Sequence, residues 1–368
     1  MGGIASSGDK HRITGPKLRG RVATASFASI GDLTGQILGD RYRLVSVLGE
    51  GGMGTVYLAE HVTIGKQLAI KVLGLEFSQQ ESYRIRFLRE AQSISRIAHE
   101  NVVDVTDFGV APNGSLYLVM EYLQGEGLSE TLDREGPLPW SRAKQIVLQV
   151  CRALHAAHEK GILHRDIKPE NCFRIKRGAN RDFIKVLDFG LAKVVSDDPG
   201  METSLTAVGG IIGTPEYMSP ERVRGEKLDE RSDVYAVGIL LYEVCTGCVP
   251  FSGDHYTLVL DQQLHAVPVP PRQVTPNADI SRELEQVILR ALEKDRDRRF
   301  PNIRSLAEAL ANIQTLTSSS AGVPIQPRAQ PVQTAKSREG TLIAIILALT
   351  VVVVALGGIV LAFVLGIL

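Results

Sequence analysis

Several hydrophobic rhythms divide the chain. Residues 1–40 mix Gly, Ser and Thr with scattered basic residues (Lys10, Arg12, Lys17, Arg19, Arg21) and hold no sustained apolar period. That pattern predicts a disordered leader without the apolar core of a secretory signal. From Arg41 the chain turns to short β-type runs at 42–48, 55–59 and 67–72, then to a helical stretch over 83–98 in which Phe87, Ala91, Ile94 and Ala98 share a face. Further strands are predicted at Asn101-Val102-Val103 and at 116–120. After Gly125 and Gly127 the texture becomes helical, with Ile146, Val150, Ala153 and Ala157 in register along 140–160. A short strand at 183–187, an apolar helix from Ser232 and a last helix through Leu310 follow. The expectation is an α+β protein with a small β-rich lobe over 41–124 and a larger helical lobe over 125–313.

Beyond 313 the rhythm changes twice. Residues 314–340 are dominated by Ser, Thr, Gln, Pro and Ala, the composition of a flexible linker. Residues 341–368 are uncharged and mostly Ile, Leu, Val or Ala. At about 1.5 Å per residue such a helix reaches roughly 40 Å, more than a ~30 Å hydrocarbon core requires. A transmembrane helix in contact with lipid is therefore expected. Lys336 and Arg338 precede it and no charge follows, so the rest of the chain is expected on the cytoplasmic side of a single-pass anchor at the cell membrane. The chain is expected to stop in or just past the membrane, without an extracellular sensor.

Composition narrows the function. Lys+Arg and Asp+Glu are equal at 41 each, which speaks against a nucleic-acid partner. Cys151, Cys172, Cys245 and Cys248 fall in the part expected in the cytosol, where disulfides are rare. Cys245 and Cys248 have redox spacing but close an apolar helix, and are read as structural.

The densest chemistry lies in His164-Arg165-Asp166-Ile167-Lys168-Pro169-Glu170-Asn171. Phosphoryl transfer needs an oriented hydroxyl, stabilised phosphate charge and a clamped divalent ion. Asp166 can take the hydroxyl proton, Lys168 can lie against the phosphate and Asn171 can hold the metal. Upstream, Gly49-Glu50-Gly51-Gly52-Met53-Gly54 separates two strands, and its glycines let backbone N–H groups approach an anion. In isolation a glycine triplet is any tight hairpin, and Lys71 after Leu68-Ala69-Ile70 is any strand's solvated end. Asp188 before Phe189-Gly190 is equally a turn residue.

In this order the motifs resemble those of the eukaryotic-like bacterial serine/threonine protein kinases, over residues 42 to about 313. The resemblance implies the bilobal kinase fold, ATP with Mg²⁺ or Mn²⁺ as cofactors, and protein substrates. It implies that the glycine loop covers ATP, that Leu48, Val56 and Ala69 roof the adenine over Phe173, and that Met120, Glu121 and Leu123 form the gatekeeper and hinge. Lys71 would pair with Glu90 and hold phosphates, and Asp188 would join Asn171 on the metal. His164 and Phe189 would pack in an internal spine with Ile94. Arg165 would meet a phosphate on the activation loop, placed first at Thr206 and then at Ser204 or Thr203, by autophosphorylation. Thr214 would face the substrate, Asp233 would brace the catalytic loop, and Glu221 with Arg299 would tie the loop's end to the domain. Regulation is expected from the leader, from partners or from homodimerisation through the small lobe or membrane helix. The competing class is a catalytically silent kinase-fold scaffold at the membrane. It is disfavoured because Lys71, Asp166, Asn171 and Asp188 are all present. A small-molecule phosphotransferase of the same fold is disfavoured by the Gly213-Thr214-Pro215-Glu216-Tyr217 docking segment.

Overall fold

The computed structural model describes residues 32–51, 54–79, 81–189, 214–276 and 278–314, without the side chains of several residues around and within the helix that carries Glu90. The small lobe holds β1 (Ile37–Leu38), β2 (Tyr42–Gly51), β3 (Gly54–His61), β4 (Gln67–Leu73), β5 (Val105–Val110) and β6 (Leu116–Glu121). They form an antiparallel sheet in the order β1-β2-β3-β4-β6-β5.

The two-residue period of β4 separates its side chains between two environments. Leu68, Ile70 and Val72 enter a core with Leu38, Leu44, Tyr57, Ala59, Tyr117 and Val119. Ala69 and Lys71 take the opposite face. Register then sets Lys71 across from Val56 and Ala69 across from Met120, so that face is an apolar patch with an ammonium at its edge.

The fold begins before the predicted boundary at residue 41. Leu33 and Leu38 are buried in the small-lobe core, β1 pairs with β2, and the Tyr57 hydroxyl accepts the Leu33 N–H at 3.4 Å. A two-residue strand among polar neighbours is too short for periodicity to reveal. The rest of the predicted leader, residues 1–31, lies outside the described residues. Helix α1 (Leu75–Ser78) is followed by α2 (Glu81–Ile94), which buries Phe87, Ala91 and Ile94 along one stripe.

The large lobe contains β7 (Gly125–Gly127), α3 (Leu128–Glu135), α4 (Trp140–His158), β8 (Cys172–Arg177) and β9 (Asn180–Val186), then α5 (Pro220–Val223), α6 (Glu230–Thr246), α7 (Tyr256–His265), α8 (Pro271–Val274), α9 (Arg282–Ala291) and α10 (Ile303–Asn312). Helix α6 is buried on all sides from Ser232 to Thr246, as its apolar composition requires. The Asp229 carboxylate caps its start by accepting the Arg231 N–H, and Gly247, at φ 80°, supplies the left-handed stop. At Gly238 a Cβ would lie 2.9 Å from Ala291 Cβ, so the bare backbone lets α9 approach. Lys144 closes the end of α10 by donating to the carbonyls of Ala311 (2.8 Å) and Ile313 (2.6 Å).

The lobes meet where Val103 N–H donates to Val186 O at 3.0 Å and Val186 N–H to Asn101 O at 2.8 Å. Below this junction six charged side chains alternate in sign around a closed ring: Glu126, Arg134, Glu135, Arg142, Asp182 and Arg174, each paired with both neighbours. The ring joins β7, α3, α4, β8 and β9. Its members are part-exposed, so each pair contributes little by itself and the network's value is in fixing where these elements lie.

All four cysteines are unpaired thiols, and Cys151, Cys172 and Cys245 are buried. Among the described residues no helix is long and apolar enough to cross a membrane. The predicted linker beyond 314 and the predicted span 341–368 lie outside them.

Candidate active site

Asp233, in the first turn of α6, is 1 % exposed and gathers the loop beneath the cleft. Its carboxylate accepts the N–H of His164 at 2.9 Å, the N–H of Arg165 at 2.8 Å and a 2.7 Å contact from His158 Nε2. Burial pushes this carboxyl upward, but the His158 contact, His164 and the Arg165 N–H outweigh it and hold it below the usual range. Arg165 stands at φ 68°, a left-handed conformation uncommon for a side-chain-bearing residue. The two N–H bonds to Asp233 offset that strain, and the Arg165 carbonyl accepts from the Arg222 guanidinium.

His164 is fully buried, its ring 4.5 Å from that of Phe189. Nδ1 accepts the Asp166 N–H at 3.2 Å, and Nε2 lies 2.8 Å from the Leu187 carbonyl, to which it must donate. Both nitrogens are thus satisfied in one neutral tautomer. Burial lowers the tendency of the ring to take a second proton.

That arrangement delivers Asp166 to the cleft. The Asn171 amide donates to the Asp166 carbonyl at 2.7 Å and to its Oδ2 at 3.0 Å. Lys168 Nζ lies 3.0 Å from Asp166 Oδ2 and donates to Thr214 Oγ1 at 3.0 Å. The turn Pro169–Asn171 makes this possible, because its 3₁₀ geometry folds Asn171 back over Asp166. A carboxylate, an ammonium and the Thr214 hydroxyl therefore share one hydrogen-bonded group.

The second half of the site joins the two lobes. Asp188, at φ 54°, directs Oδ2 to within 2.8 Å of Lys71 Nζ on β4. Burial raises the Asp188 carboxyl, but attraction and hydrogen bonding from Lys71, with His164 and Lys168 beyond, bring it below the ordinary value. The expected partner of Lys71, Glu90, has its side chain outside the described atoms, so the described contact of Lys71 is with Asp188. The Leu187 N–H donates to the Asn171 carbonyl at 2.9 Å, which brings the residue before Asp188 against the loop of Asp166. With its NH₂ group committed to Asp166, Asn171 has its side-chain oxygen available to a hard cation, as has Asp188 the carboxylate oxygen that Lys71 does not engage. No cluster of three or more metal-ligating side chains occurs among the described residues. A carboxylate and an amide oxygen fit Mg²⁺, which is commonly held by one or two protein oxygens together with phosphates.

Above these groups Val56, Ala69, Val103, Met120, Leu123 and Leu187 pack as one apolar cluster. Leu48, near the end of β2, is 46 % exposed, and Phe173 is half-buried on β8, opposite Gly127. The N–H and C=O of Leu123 bond to no group among the described residues, whereas the Glu121 carboxylate is drawn aside by Lys185 at 2.6 Å and the Asp104 N–H at 2.8 Å. Gly49, Glu50 and Gly51 end β2, and Gly54 opens β3 at φ 153°, where a Cβ would lie 2.0 Å from Val72 O. Gly52 and Met53 lie outside the described residues. Val103 and Leu187 are cleft residues that the sequence reading did not nominate. Leu187 could have been found from alternation, since it follows the core residue Val186 and precedes Asp188.

Farther down, Arg299 is fully buried and bidentate to Glu221, at 2.8 and 2.7 Å. Ser232 Oγ adds a 2.7 Å bond to the same carboxylate. Burial raises Glu221, and Arg299 then Ser232 pull it below its usual value. Thr203, Ser204, Thr206 and Gly190 lie outside the described residues.

The comparisons agree with this arrangement. The model of the family described as the protein kinase domain matches residues 42–311. The chain is 44 % identical over 265 residues to the serine/threonine-protein kinase pkn3 of Myxococcus xanthus, covering 72 % of this chain and 48 % of that protein. It is 41 % identical over 283 residues to PknB of Mycolicibacterium smegmatis, covering 76 % and 44 %. It thus spans about half the length of the curated relatives it matches. The crystal structure of the Mycobacterium tuberculosis PknI kinase domain superposes with a TM-score of 0.59 at 28 % identity, covering 77 % of this chain and 99 % of that one. With the family model matched along most of its length and the cleft built as described, this chain belongs to the protein kinase domain family.

Proposed function

We propose that the chain is a serine/threonine protein kinase that moves the γ-phosphoryl group of ATP to protein hydroxyls and is anchored in the cell membrane by residues 341–368. The observation that carries the reading is the joint placement of Asp166, Lys168, Asn171, Thr214 and Asp188 on the large-lobe side of the cleft, with Lys71 reaching Asp188 from the small lobe. ATP with Mg²⁺ supplies the phosphoryl group and much of the neutralising charge when bound. Asp166 Oδ2, oriented by Asn171, accepts the proton of the acceptor hydroxyl, and Lys168 presents positive charge beside it. Thr214 keeps Lys168 directed into the cleft. Lys71 addresses phosphate oxygens, and Asp188 and Asn171 are the oxygens offered to the metal. The apolar cluster around Ala69 and Met120 takes the adenine ring, with the Leu123 backbone as its hydrogen-bonding edge. Arg165 is the cation for a phosphate on Thr206, Ser204 or Thr203, added by the enzyme itself. The uncharged run 341–368 supports the anchor.

The test is phosphate incorporation from ATP and Mg²⁺ by the full-length chain in detergent, beside Asp166→Asn, with sites mapped by mass spectrometry. Asp166→Asn is expected to lower incorporation by roughly 10²-fold or more, the scale of a lost general base, with parental sites at 203–206. Equal incorporation in both proteins, or none in a parent that binds ATP, overturns the catalytic reading and favours the scaffold.

A further inference from the structure

Helix α7 carries two side chains, Tyr256 and Gln263, seven residues apart and therefore on one face. That face abuts the docking segment, whose 3₁₀ turn is Pro215–Tyr217. The Tyr256 hydroxyl reaches Met218 Sδ at 3.6 Å. Gln263 goes further. It is fully buried, and its Nε2 donates both hydrogens to main-chain carbonyls of the turn, to Pro215 O at 3.0 Å and Glu216 O at 2.7 Å.

The amide oxygen of Gln263 is also used. It accepts the Tyr235 hydroxyl of α6 at 2.5 Å. The Tyr235 oxygen in turn accepts from Lys294 Nζ at 3.1 Å, and Lys294 donates also to Gln262 O at 3.1 Å while lying 3.9 Å above the Phe251 ring. The order of donors is thus Lys294, Tyr235, Gln263, then the two carbonyls. Each donor polarises the next, and a buried chain with every member satisfied fixes one geometry. Its far end is the backbone between Thr214, which holds Lys168, and Tyr217, whose hydroxyl bonds the Glu243 carboxylate.

The geometry points to Gln263 as the positioning residue for the acceptor peptide, with Tyr235 and Lys294 as its supports. This rests on the kinase reading above and on Thr214–Tyr217 being the docking segment. Gln263 touches neither nucleotide nor acceptor hydroxyl. It fixes the height and tilt of the turn on which the acceptor chain lies, so its loss acts on peptide binding and leaves the ATP cleft as it was.

The experiment compares the full-length parent in detergent with Gln263→Met, Tyr235→Phe and, as a control, Gln262→Met. Gln262 is the neighbour on α7 and bonds Ser252 instead of the docking segment. A threonine peptide selected from an arrayed Ser/Thr library is the acceptor, and deuterium exchange is followed in the fragment spanning 214–223. Gln263→Met is expected to raise the peptide KM by roughly tenfold, the scale of two lost hydrogen bonds, with the ATP KM within about twofold and any fall in kcat, through Thr214 and Lys168, smaller than the rise in peptide KM. Tyr235→Phe shifts peptide KM in the same direction by less, and the double variant is no worse than Gln263→Met alone because the two act in series. Exchange in 214–223 accelerates in Gln263→Met and not in Gln262→Met. An unchanged peptide KM, or peptide and ATP KM rising together in the control as well, overturns the inference. If the parent transfers no phosphate, the kinase reading fails. The exchange arm still decides the coupling: acceleration confined to 214–223 upholds it, and no acceleration overturns it.

Discussion

Asp233 shows how much one buried carboxylate can organise. Its oxygens meet two consecutive main-chain N–H groups and the ring of His158, in contacts that are buried or part-buried. Asp233→Ala strands all three and also releases the left-handed turn at Arg165. The expected loss is roughly 3–5 kcal/mol in urea unfolding, with activity falling further than the folded fraction. At this scale the sequence was informative wherever the chemistry is contiguous. Residues 164–171 lie within hydrogen-bonding reach of one another because they share one loop, and spacing along the chain suffices to nominate them. Val103, Leu187 and Gln263 are different. An ordinary apolar or amide side chain gains its place from register between distant strands or from helix packing, and no local pattern marks it. Lys71 is intermediate: its strand end marked it, but its described contact, Asp188, lies 117 residues away and depends on how the lobes close.

Among elements, α6 sets the frame. It is surrounded on every side, begins at a carboxylate cap and ends at a glycine whose left-handed φ no other residue adopts without strain. One neighbour is α9, admitted by Gly238, where an added Cβ meets Ala291 Cβ at 2.9 Å and Leu292 Cδ2 at 3.0 Å. Gly238→Val is expected to destabilise by roughly 1–3 kcal/mol through forced separation of the two helices, read as a lower urea midpoint with an unchanged slope. Helices with a clean apolar stripe were legible from sequence, α4 and α10 among them, to within a few residues. The start of the small lobe was not. Leu33 and Leu38 are too few and too far apart, with Thr34, Gly35, Gln36 and the exposed Ile37 between them, to display a period, and they join the core only because Tyr57 and the edge of β2 receive them.

For the molecule as a whole, Lys294 makes stability depend on alkaline pH. Burial, with Arg299 and Arg224 nearby, pulls its ammonium from an ordinary 10.5 down to about 7. Between those values the unfolded chain binds a proton that the fold excludes, so stability rises with pH across this window and the full penalty applies below it. Lys294→Met cannot titrate there. Its thermal midpoint relative to the parent is therefore expected to decline steadily from pH 7 to pH 10, and a constant difference would contradict the shift. The two-lobed α+β plan was legible because strand and helix periods follow one another in long blocks. The buried pair of Glu221 and Arg299 was expected from the motif order, but the pairing of part-exposed charges was not, since each joins segments that only the finished fold brings together. The ring of Glu126, Arg134, Glu135, Arg142, Asp182 and Arg174 is the clearest instance. A closed ring has no end member. Replacing any one of the six by a neutral residue leaves two like charges facing each other across the gap, whereas removing an adjacent pair of opposite sign leaves a balanced open chain of four.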